Sequence, residues 1–272
     1  MQRFENARAA AHQLRPDDPV YCFRPDVLKQ DCRRFMEMFP GKTAYAVKTN
    51  GEGLVLKTLV EAGVNAFDVA SPGVFASDSD SSADADMLYM HPVKAQSHIR
   101  LALEKYGVRV IALDHEDEIA KLTRVVRALD IDPGQITVFV RIQTKGSAAY
   151  ELSKKFGAGP AYAVELADRL HRTGFKVGLC FHVGSQIEDP DTYERALASA
   201  DWVRNRVSFD LAGLDVGGGF PAEYGHDPRS RKPDMPSLGQ IMSRLRGDLS
   251  EYGFDGMPLV AEPGRVIVAR CL

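Results

Sequence analysis

Residues 108–143 have the sequence VRVIALDHEDEIAKLTRVVRALDIDPGQITVFVRIQ, and this stretch decides the fold class. Its two ends, 108–114 and 137–143, are short apolar runs rich in β-branched residues, which is typical of strands. The segment between them, 116–129, is amphipathic with the spacing of a helix that buries one face. The pattern predicts a strand–helix–strand unit, in which the crossover helix lets the two strands lie parallel.

The same alternation continues through most of the chain. Apolar runs that predict strands lie at 43–48, 66–70, 87–91, 108–114, 137–143, 177–183, 211–216 and 258–262. Amphipathic segments that predict helices lie at 53–62, 94–105, 116–129, 161–172, 190–206 and 238–252. The strands are apolar on both faces, which indicates burial on both sides. Eight such units match an α/β protein of the (β/α)8 TIM-barrel type, and a doubly wound open sheet is the alternative that predicts the same local pattern.

Two segments fit this scheme less well. The crossover at 77–86 (SDSDSSADAD) is made of residues that prefer caps and turns, so we expect a short or frayed crossover there. The run at 19–23 (PVYCF) predicts an extra strand before a helix at 24–38. That strand has no place in the barrel, and we expect it to pair with a different sheet.

Composition excludes several classes of protein. The 272 residues are 44% hydrophobic and 26% charged, with a net charge of −3, which is typical of a globular domain rather than a disordered chain. No basic excess points to nucleic acid or to a membrane surface as a partner. No apolar run approaches the roughly 18 residues of a spanning helix, and no signal peptide is evident, so we expect a cytoplasmic protein. The four cysteines form no CxxC pair, which argues against a zinc site.

Chemically active residues recur where the predicted strands end. In a parallel barrel these ends meet at one mouth, where active sites are built. The residues at the eight ends are Lys48, Asp68 with Ser71, His91, Asp114, Arg141, His182 with Ser185, Gly217–Gly219, and Glu262 with Arg265. Because a purely structural role would not require this combination, it favours the barrel and predicts a site at its mouth.

The three consecutive glycines predict a phosphate-binding loop. Glycines let backbone N–H groups approach an anion closely, and Arg265 on the neighbouring loop suits a bidentate contact with phosphate. Gly217-x-Gly219-x-x-Ala222 also fits a dinucleotide fingerprint, but Pro221 and the polar stretch after it do not begin a helix. A phosphate cradle without a dinucleotide is therefore the better interpretation.

Four kinds of group complete one cofactor site. Lys48, at the end of a buried strand, is a candidate for a Schiff base, with a pKa that we expect burial to lower. His182 offers a ring for stacking, and Glu262 offers a carboxylate for a ring nitrogen. An amine, a phosphate cradle, a carboxylate and an imidazole together describe a site for pyridoxal 5′-phosphate, whose protonated ring acts as an electron sink.

Five motifs in order carry a family resemblance. YAVKTN at 45–50, FDVAS at 67–71, HVGSQ at 182–186, DVGGGFP at 215–221 and EPGR at 262–265 resemble the fold-type III pyridoxal-phosphate decarboxylases, the ornithine, lysine and diaminopimelate decarboxylase group. The segment 152–157 is similar to the family's LS-x-KFG loop, with Lys155 at its lysine.

The resemblance assigns a role to each matching residue. It implies that Lys48 binds the cofactor covalently, His182 stacks on its ring, and Glu262 pairs with its pyridine nitrogen. These three are the expected catalytic residues. The remaining expected cofactor-binding residues are Asp68, Arg141, Ser185, Gly217, Gly218, Gly219, Pro263, Gly264 and Arg265.

The resemblance also implies a domain organisation. Residues 1–24 would belong with a C-terminal β-domain that this sequence lacks, 25–268 would form the cofactor-binding barrel, and 269–272 would begin the C-terminal region. Because the family takes a catalytic cysteine and an acidic substrate-binding residue from that β-domain, we expect little turnover from these 272 residues alone. A homodimer is expected where the β-domain is present.

The substrate implied is a small basic amino acid. Decarboxylation of L-ornithine to putrescine, a step of polyamine biosynthesis, is the first expectation, and decarboxylation of diaminopimelate in lysine biosynthesis is the alternative. A non-catalytic homologue that binds the cofactor or a partner is the third possibility.

Overall fold

The computed structural model describes residues 2–71, 85–144, 148–150, 155–222 and 236–271. The segment predicted as a weak crossover at 77–86 lies outside these residues, except for its last two positions. The first three residues of the predicted LS-x-KFG loop, 152–154, also lie outside them.

Short parallel strands form one continuous sheet. They are β1 (Lys42–Thr43), β2 (Tyr45–Ala46), β3 (Ala66–Asp68), β4 (Asp86–Tyr89), β5 (Val110–Leu113), β6 (Thr137–Ile142), β8 (Lys176–Phe181), β10 (Leu214–Asp215) and β11 (Leu259–Ala261). Their order in the sheet is β1-β11-β10-β8-β6-β5-β4-β3-β2, and every pair is parallel. A small antiparallel pair, β7 (Ala148–Tyr150) with β9 (Ser185–Ile187), stands apart from it.

The two ends of this sheet are halves of one strand, so the sheet closes. Only Ala44 separates β1 from β2, and its N–H donates to Ala261 O at 2.9 Å. Two residues later the N–H of Ala46 donates to Pro263 O at 3.0 Å, while Tyr45 pairs with Phe67 on the other side. The first strand therefore contacts both the last strand and the second. The predicted (β/α)8 barrel is confirmed, and the open-sheet alternative is wrong.

Helices follow the strands and cover the outside of the barrel. They are α1 (Ala7–Leu14), α2 (Pro25–Met38), α3 (Gly53–Ala62), α4 (Gln96–Glu104), α5 (Glu116–Ala128), α6 (Pro160–Arg172), α7 (Thr192–Arg204), α8 (Leu238–Glu251) and the single turn α9 (Arg265–Val268). Their ends follow local chemistry: α2 and α6 begin at prolines, which suit a first helical position. Helix α8 begins with a capping box in which Ser237 and Gln240 exchange hydrogen bonds.

The core has two layers. The larger layer lies between the helices and the sheet, and a smaller cluster fills the barrel interior with Ala44, Ala66, Leu88, Met90, Ala112, Phe139 and Cys180. Phe139 is the one large ring in this inner cluster. A Cβ on Gly178 would lie 2.6 Å from the Phe139 ring, so the missing side chain there makes room for it. The barrel is thus a packed scaffold that holds its strand ends in place.

Residues 19–23 lie in no strand of the described part of the chain. Tyr21 is 86% exposed, and the N–H of Arg24, which follows this segment, donates to Cys271 O at 2.7 Å. Because a strand is defined by a hydrogen-bonded neighbour, pairing of this segment with a sheet outside these residues stays a prediction. Among the described residues, no helix is long and apolar enough to cross a membrane.

Candidate active site

Lys48 and Asp68 form an ion pair at the mouth of the barrel. Lys48 lies in the turn Val47–Thr49 directly after β2, and Asp68 is the last residue of β3. Lys48 Nζ lies 3.3 Å from Asp68 Oδ2, with the lysine side chain half exposed and the aspartate 3% exposed. The pairing follows from parallel strands that end side by side.

This ion pair corrects the expected pKa of Lys48. The charges of Asp68 and, more weakly, of Glu262 raise the pKa above its ordinary value, although burial and the Arg141 guanidinium act in the opposite direction. The expectation of a lowered pKa was wrong because it counted burial without the two carboxylates. Lys48 is therefore held as a cation in the cofactor-free chain.

Two further carboxyl groups lie behind this pair. Glu262 directly follows β11 and is 8% exposed, and its N–H donates to Gly217 O at 2.8 Å. Burial, together with the negative charges of Asp68 and Asp215, raises the pKa of Glu262 well above its ordinary value. Asp215, the last residue of β10, is fully buried, and burial raises its pKa to about 6.

The raised pKa of Asp215 predicts how stability depends on pH. Its ordinary value is 3.8, so the folded chain binds more protons than the unfolded chain between that value and about 6. The contribution of Asp215 to the free energy of unfolding is fully present below pH 3.8 and is lost as the pH rises through about 6.

We expect urea unfolding to show a larger loss of stability with rising pH for the wild-type chain than for Asp215→Asn, whose amide does not titrate. The groups facing Asp215 from other strands, Glu262, Asp68 and Lys48, are retained in both proteins. Parallel pH profiles of stability for the two proteins would contradict this expectation.

His182 is held as a neutral ring. Its Nδ1 accepts a hydrogen bond from the Gly184 N–H at 3.1 Å, which places the ring proton on Nε2. Burial and the charges of Lys48 and Arg141 hold the pKa of His182 well below its ordinary value. The ring lies against the loop Gly217–Gly219, called the glycine loop below, since a Cβ on Gly218 would come within 3.2 Å of Nε2.

The glycine loop requires glycine at each of its three positions. Gly217 has φ +67°, and a Cβ there would lie 2.2 Å from Phe181 O. Gly219 has φ +110°, and a Cβ would lie 2.8 Å from Gly184 O. At Gly218 a Cβ would lie 2.7 Å from Glu262 O. The backbone is thus packed against neighbouring strand ends, and no helix begins in residues 220–222, as a dinucleotide fingerprint would need.

Arg265 and Ser185 meet beside this loop. Arg265 is the first residue of α9, and its Nε donates to Ser185 Oγ at 3.3 Å. The residue before it, Gly264 of the EPGR motif, packs on the turn that carries Lys48. A Cβ on Gly264 would come 2.1 Å from Thr49 Oγ1. Pro263 and Gly264 therefore connect the turn that carries Lys48 with Arg265 beside the glycine loop. Contact of these two residues with the cofactor stays a prediction.

Arg141 stands on an aromatic support. Its guanidinium carbon lies 5.4 Å from the centre of the Phe156 ring, and the His91 ring meets Phe156 edge-on at 5.3 Å between centres. Two predicted strand-end residues thus act differently. Arg141 contributes charge to the site, whereas His91 lies in the rim. Asp114 also belongs to the rim, where its Oδ2 accepts from the Gly157 N–H at 2.8 Å.

Two residues that shape the site, Asp215 and Gln186, have no role predicted from the sequence. Asp215 could have been found, because a carboxylate buried in a strand directly before a glycine loop is unusual. Gln186 has φ +57°, and its side-chain amide accepts from Ala222 N at 2.7 Å and donates to Ala222 O at 3.3 Å. It fixes the exit of the glycine loop, and although Gln186 ends the HVGSQ motif, the motif does not indicate this contact.

The residues at this mouth fit pyridoxal phosphate. Backbone amides that no Cβ obstructs suit a phosphate, an amine suits an aldehyde, and a buried carboxyl suits a pyridine nitrogen. Residues 26–269 match the family model described as pyridoxal-dependent decarboxylase, pyridoxal binding domain. The chain belongs to this family. In the decarboxylases the matched region is the part that binds pyridoxal phosphate, so the cofactor predicted from the sequence is confirmed.

Individual proteins to which the chain is similar agree with this family assignment. Ornithine decarboxylase of Mus musculus is 32% identical over 253 residues, which cover 90% of this chain and 51% of the relative. The crystal structure of lysine/ornithine decarboxylase from Vibrio vulnificus, complexed with putrescine, has a TM-score of 0.80 and 28% identity and covers 97% of this chain and 67% of that one. The arginine decarboxylase of Paramecium bursaria Chlorella virus has a TM-score of 0.73 and 25% identity over 90% of this chain and 63% of that one.

The chain spans about half the length of the curated relatives it matches.

Proposed function

We propose that the chain is the cofactor-binding barrel of a decarboxylase that acts on a basic amino acid, with L-ornithine as the first candidate and putrescine as the product. The observation that carries the proposal is the placement of Lys48 and Glu262 in one mouth with the glycine loop. In this arrangement the amine, the ring-nitrogen partner and the phosphate cradle come from different strands that the barrel fixes.

Pyridoxal phosphate, when bound, supplies an electron sink for the electron pair left by the departing carboxyl group. The side chains of this site position that sink. Lys48 would bind the aldehyde, and its ion pair with Asp68 orients Nζ at the mouth. Glu262 would hold the pyridine nitrogen with a carboxyl group, which favours a protonated ring.

Three features would hold the rest of the cofactor. Gly218 and Gly219 would present N–H groups to the phosphate, since the Gly217 N–H donates to Asp215, and Arg265 with Ser185 would add a cation and a hydroxyl group beside it. His182 would lie on one face of the ring, and its low pKa keeps a second positive charge away from the protonated ring.

The substrate class follows from the relatives' names. They act on ornithine, on lysine and ornithine, and on arginine, so a basic amino acid is common to all of them. We place ornithine first because the matched curated relatives include ornithine decarboxylases from several animals and a fungus. We also propose a cytoplasmic homodimer completed by a C-terminal β-domain, as the family resemblance implies.

Release of carbon dioxide tests this function. Carboxyl-labelled ornithine, lysine, arginine and diaminopimelate are each supplied with pyridoxal phosphate to the chain alone and to the chain mixed with the separately expressed β-domain of a relative. We expect little release from the chain alone and release from ornithine in the mixture.

If carbon dioxide were released faster from diaminopimelate than from ornithine, diaminopimelate would be the proposed substrate in place of ornithine. Binding of the cofactor with no release from any of the four amino acids would favour a non-catalytic homologue.

A further inference from the structure

One carboxyl oxygen behind the site has no hydrogen-bond donor. Asp215 is fully buried at the end of β10. Its Oδ1 accepts from the Gly217 N–H at 2.7 Å, whereas its Oδ2 is enclosed and no described residue donates to it. A buried carboxylate oxygen without a hydrogen-bond donor destabilises the folded chain. A neighbouring group that could donate to it is therefore of interest.

The Glu262 carboxyl is a neighbour of Asp215. Strands β10 and β11 are paired in parallel, with Asp215 beside Val260, and the side chains of Asp215 and Glu262 are within hydrogen-bonding reach of each other. Two ionised carboxylates only accept hydrogen bonds, so a hydrogen bond between them requires one proton. A single proton would satisfy the unpartnered oxygen of Asp215.

The surrounding charges favour retention of that proton. Asp68 adds a third carboxyl group from β3, and the ammonium group of Lys48 already pairs with it. Cys180 on β8, which pairs with Asp215 in register, also faces the two carboxyl groups, and Arg141 on β6 faces Cys180 in turn. Two adjacent ionised carboxylates in a buried site repel each other, and one shared proton removes that repulsion.

We propose that Asp215 is a positioning residue that shares one proton with Glu262 at neutral pH. The shared proton fixes the Glu262 carboxyl between the glycine loop and the mouth of the barrel. This inference deepens the proposed function, because Glu262 is the group that would meet the pyridine nitrogen. Asp215 itself acts through Glu262 and through the Gly217 N–H.

Infrared spectroscopy of the cofactor-free chain tests the shared proton directly. A protonated carboxyl group has a carbonyl-stretch band that an ionised carboxylate lacks, and carbon-13 labelling of aspartate or glutamate assigns it. We expect the band in the wild-type chain at neutral pH. Both Asp215→Asn and Glu262→Gln should lose it, because an amide can donate to the remaining carboxylate and leave it ionised.

Asp31→Asn is the matched control. It removes another buried aspartate, which pairs with Arg270 outside the mouth, and it should leave the band unchanged. Absence of the band in the wild-type chain would overturn the proposal without any variant having to fold. Persistence of a glutamate band in Asp215→Asn would overturn it as well.

Because the infrared measurement uses no cofactor and no substrate, it can succeed where the decarboxylase assay fails. The decarboxylase assay can likewise succeed where the infrared band is absent. Failure of the shared-proton proposal is therefore distinguishable from failure of the proposed function.

Discussion

Replacement of Lys48 by alanine is expected to abolish covalent binding of pyridoxal phosphate, with complete loss of the borohydride-reducible absorption of the complex. Nζ of Lys48 is the amine that the barrel places at its mouth, 3.3 Å from Asp68. The variant also leaves Asp68 buried without its cation, which we expect to destabilise the fold by about 1–3 kcal/mol.

Lys48→Arg separates these two effects. Arginine keeps a cation beside Asp68 and cannot bind the aldehyde as lysine does, so stability should stay near that of the wild-type chain while the reducible absorption is lost. Lys29→Ala is the control on the outer surface, where Lys29 pairs with Glu61, and it should bind the cofactor as the wild-type chain does. An unchanged reducible chromophore in Lys48→Ala would refute the role of this residue.

The second large effect is expected at Gly217. Alanine there would place its Cβ 2.2 Å from Phe181 O on a backbone with φ +67°, which L-residues adopt at a cost. Strain and displacement of the loop should destabilise the chain by about 2–4 kcal/mol and weaken binding of the cofactor through its phosphate. Urea unfolding and cofactor titration measure the two effects.

Gly247→Ala provides a control with the opposite sign. Gly247 lies on the exposed face of α8, where a Cβ would meet nothing within 4 Å. Alanine at this position should stabilise the chain by about 0.5–1 kcal/mol, because glycine is a poor helix former. If Gly217→Ala were as stable as the wild-type chain and bound the cofactor equally well, the loop would not be the close-packed cradle described above.

The sequence was sufficient to predict the barrel because each unit carries its own signal. Apolar runs and amphipathic segments alternate, and the helix predicted at 116–129 lies within one residue of α5. Closure was harder to predict, because it depends on Ala44 and Ala46 pairing with residues more than 200 positions away. Local patterns contain no information on such a contact, and only the strand count pointed to it.

The site was predictable where a residue type has few structural uses. Three glycines after a strand, and a lysine beside an apolar run, stand out in a sequence. The charge state of Lys48 was not predictable in the same way, because it depends on how near Asp68 and Glu262 lie. Gln186 escaped notice for a similar reason, since its two hydrogen bonds to Ala222 depend on a left-handed backbone that no motif signals.

The central claim is that pyridoxal phosphate binds in this mouth through Lys48. The most direct measurement is peptide mapping by mass spectrometry after the wild-type chain has been incubated with pyridoxal phosphate and reduced with borohydride. We expect one modified peptide, which contains Lys48 within YAVKTN. Modification of another lysine in place of Lys48, or of many surface lysines to equal extent, would contradict it.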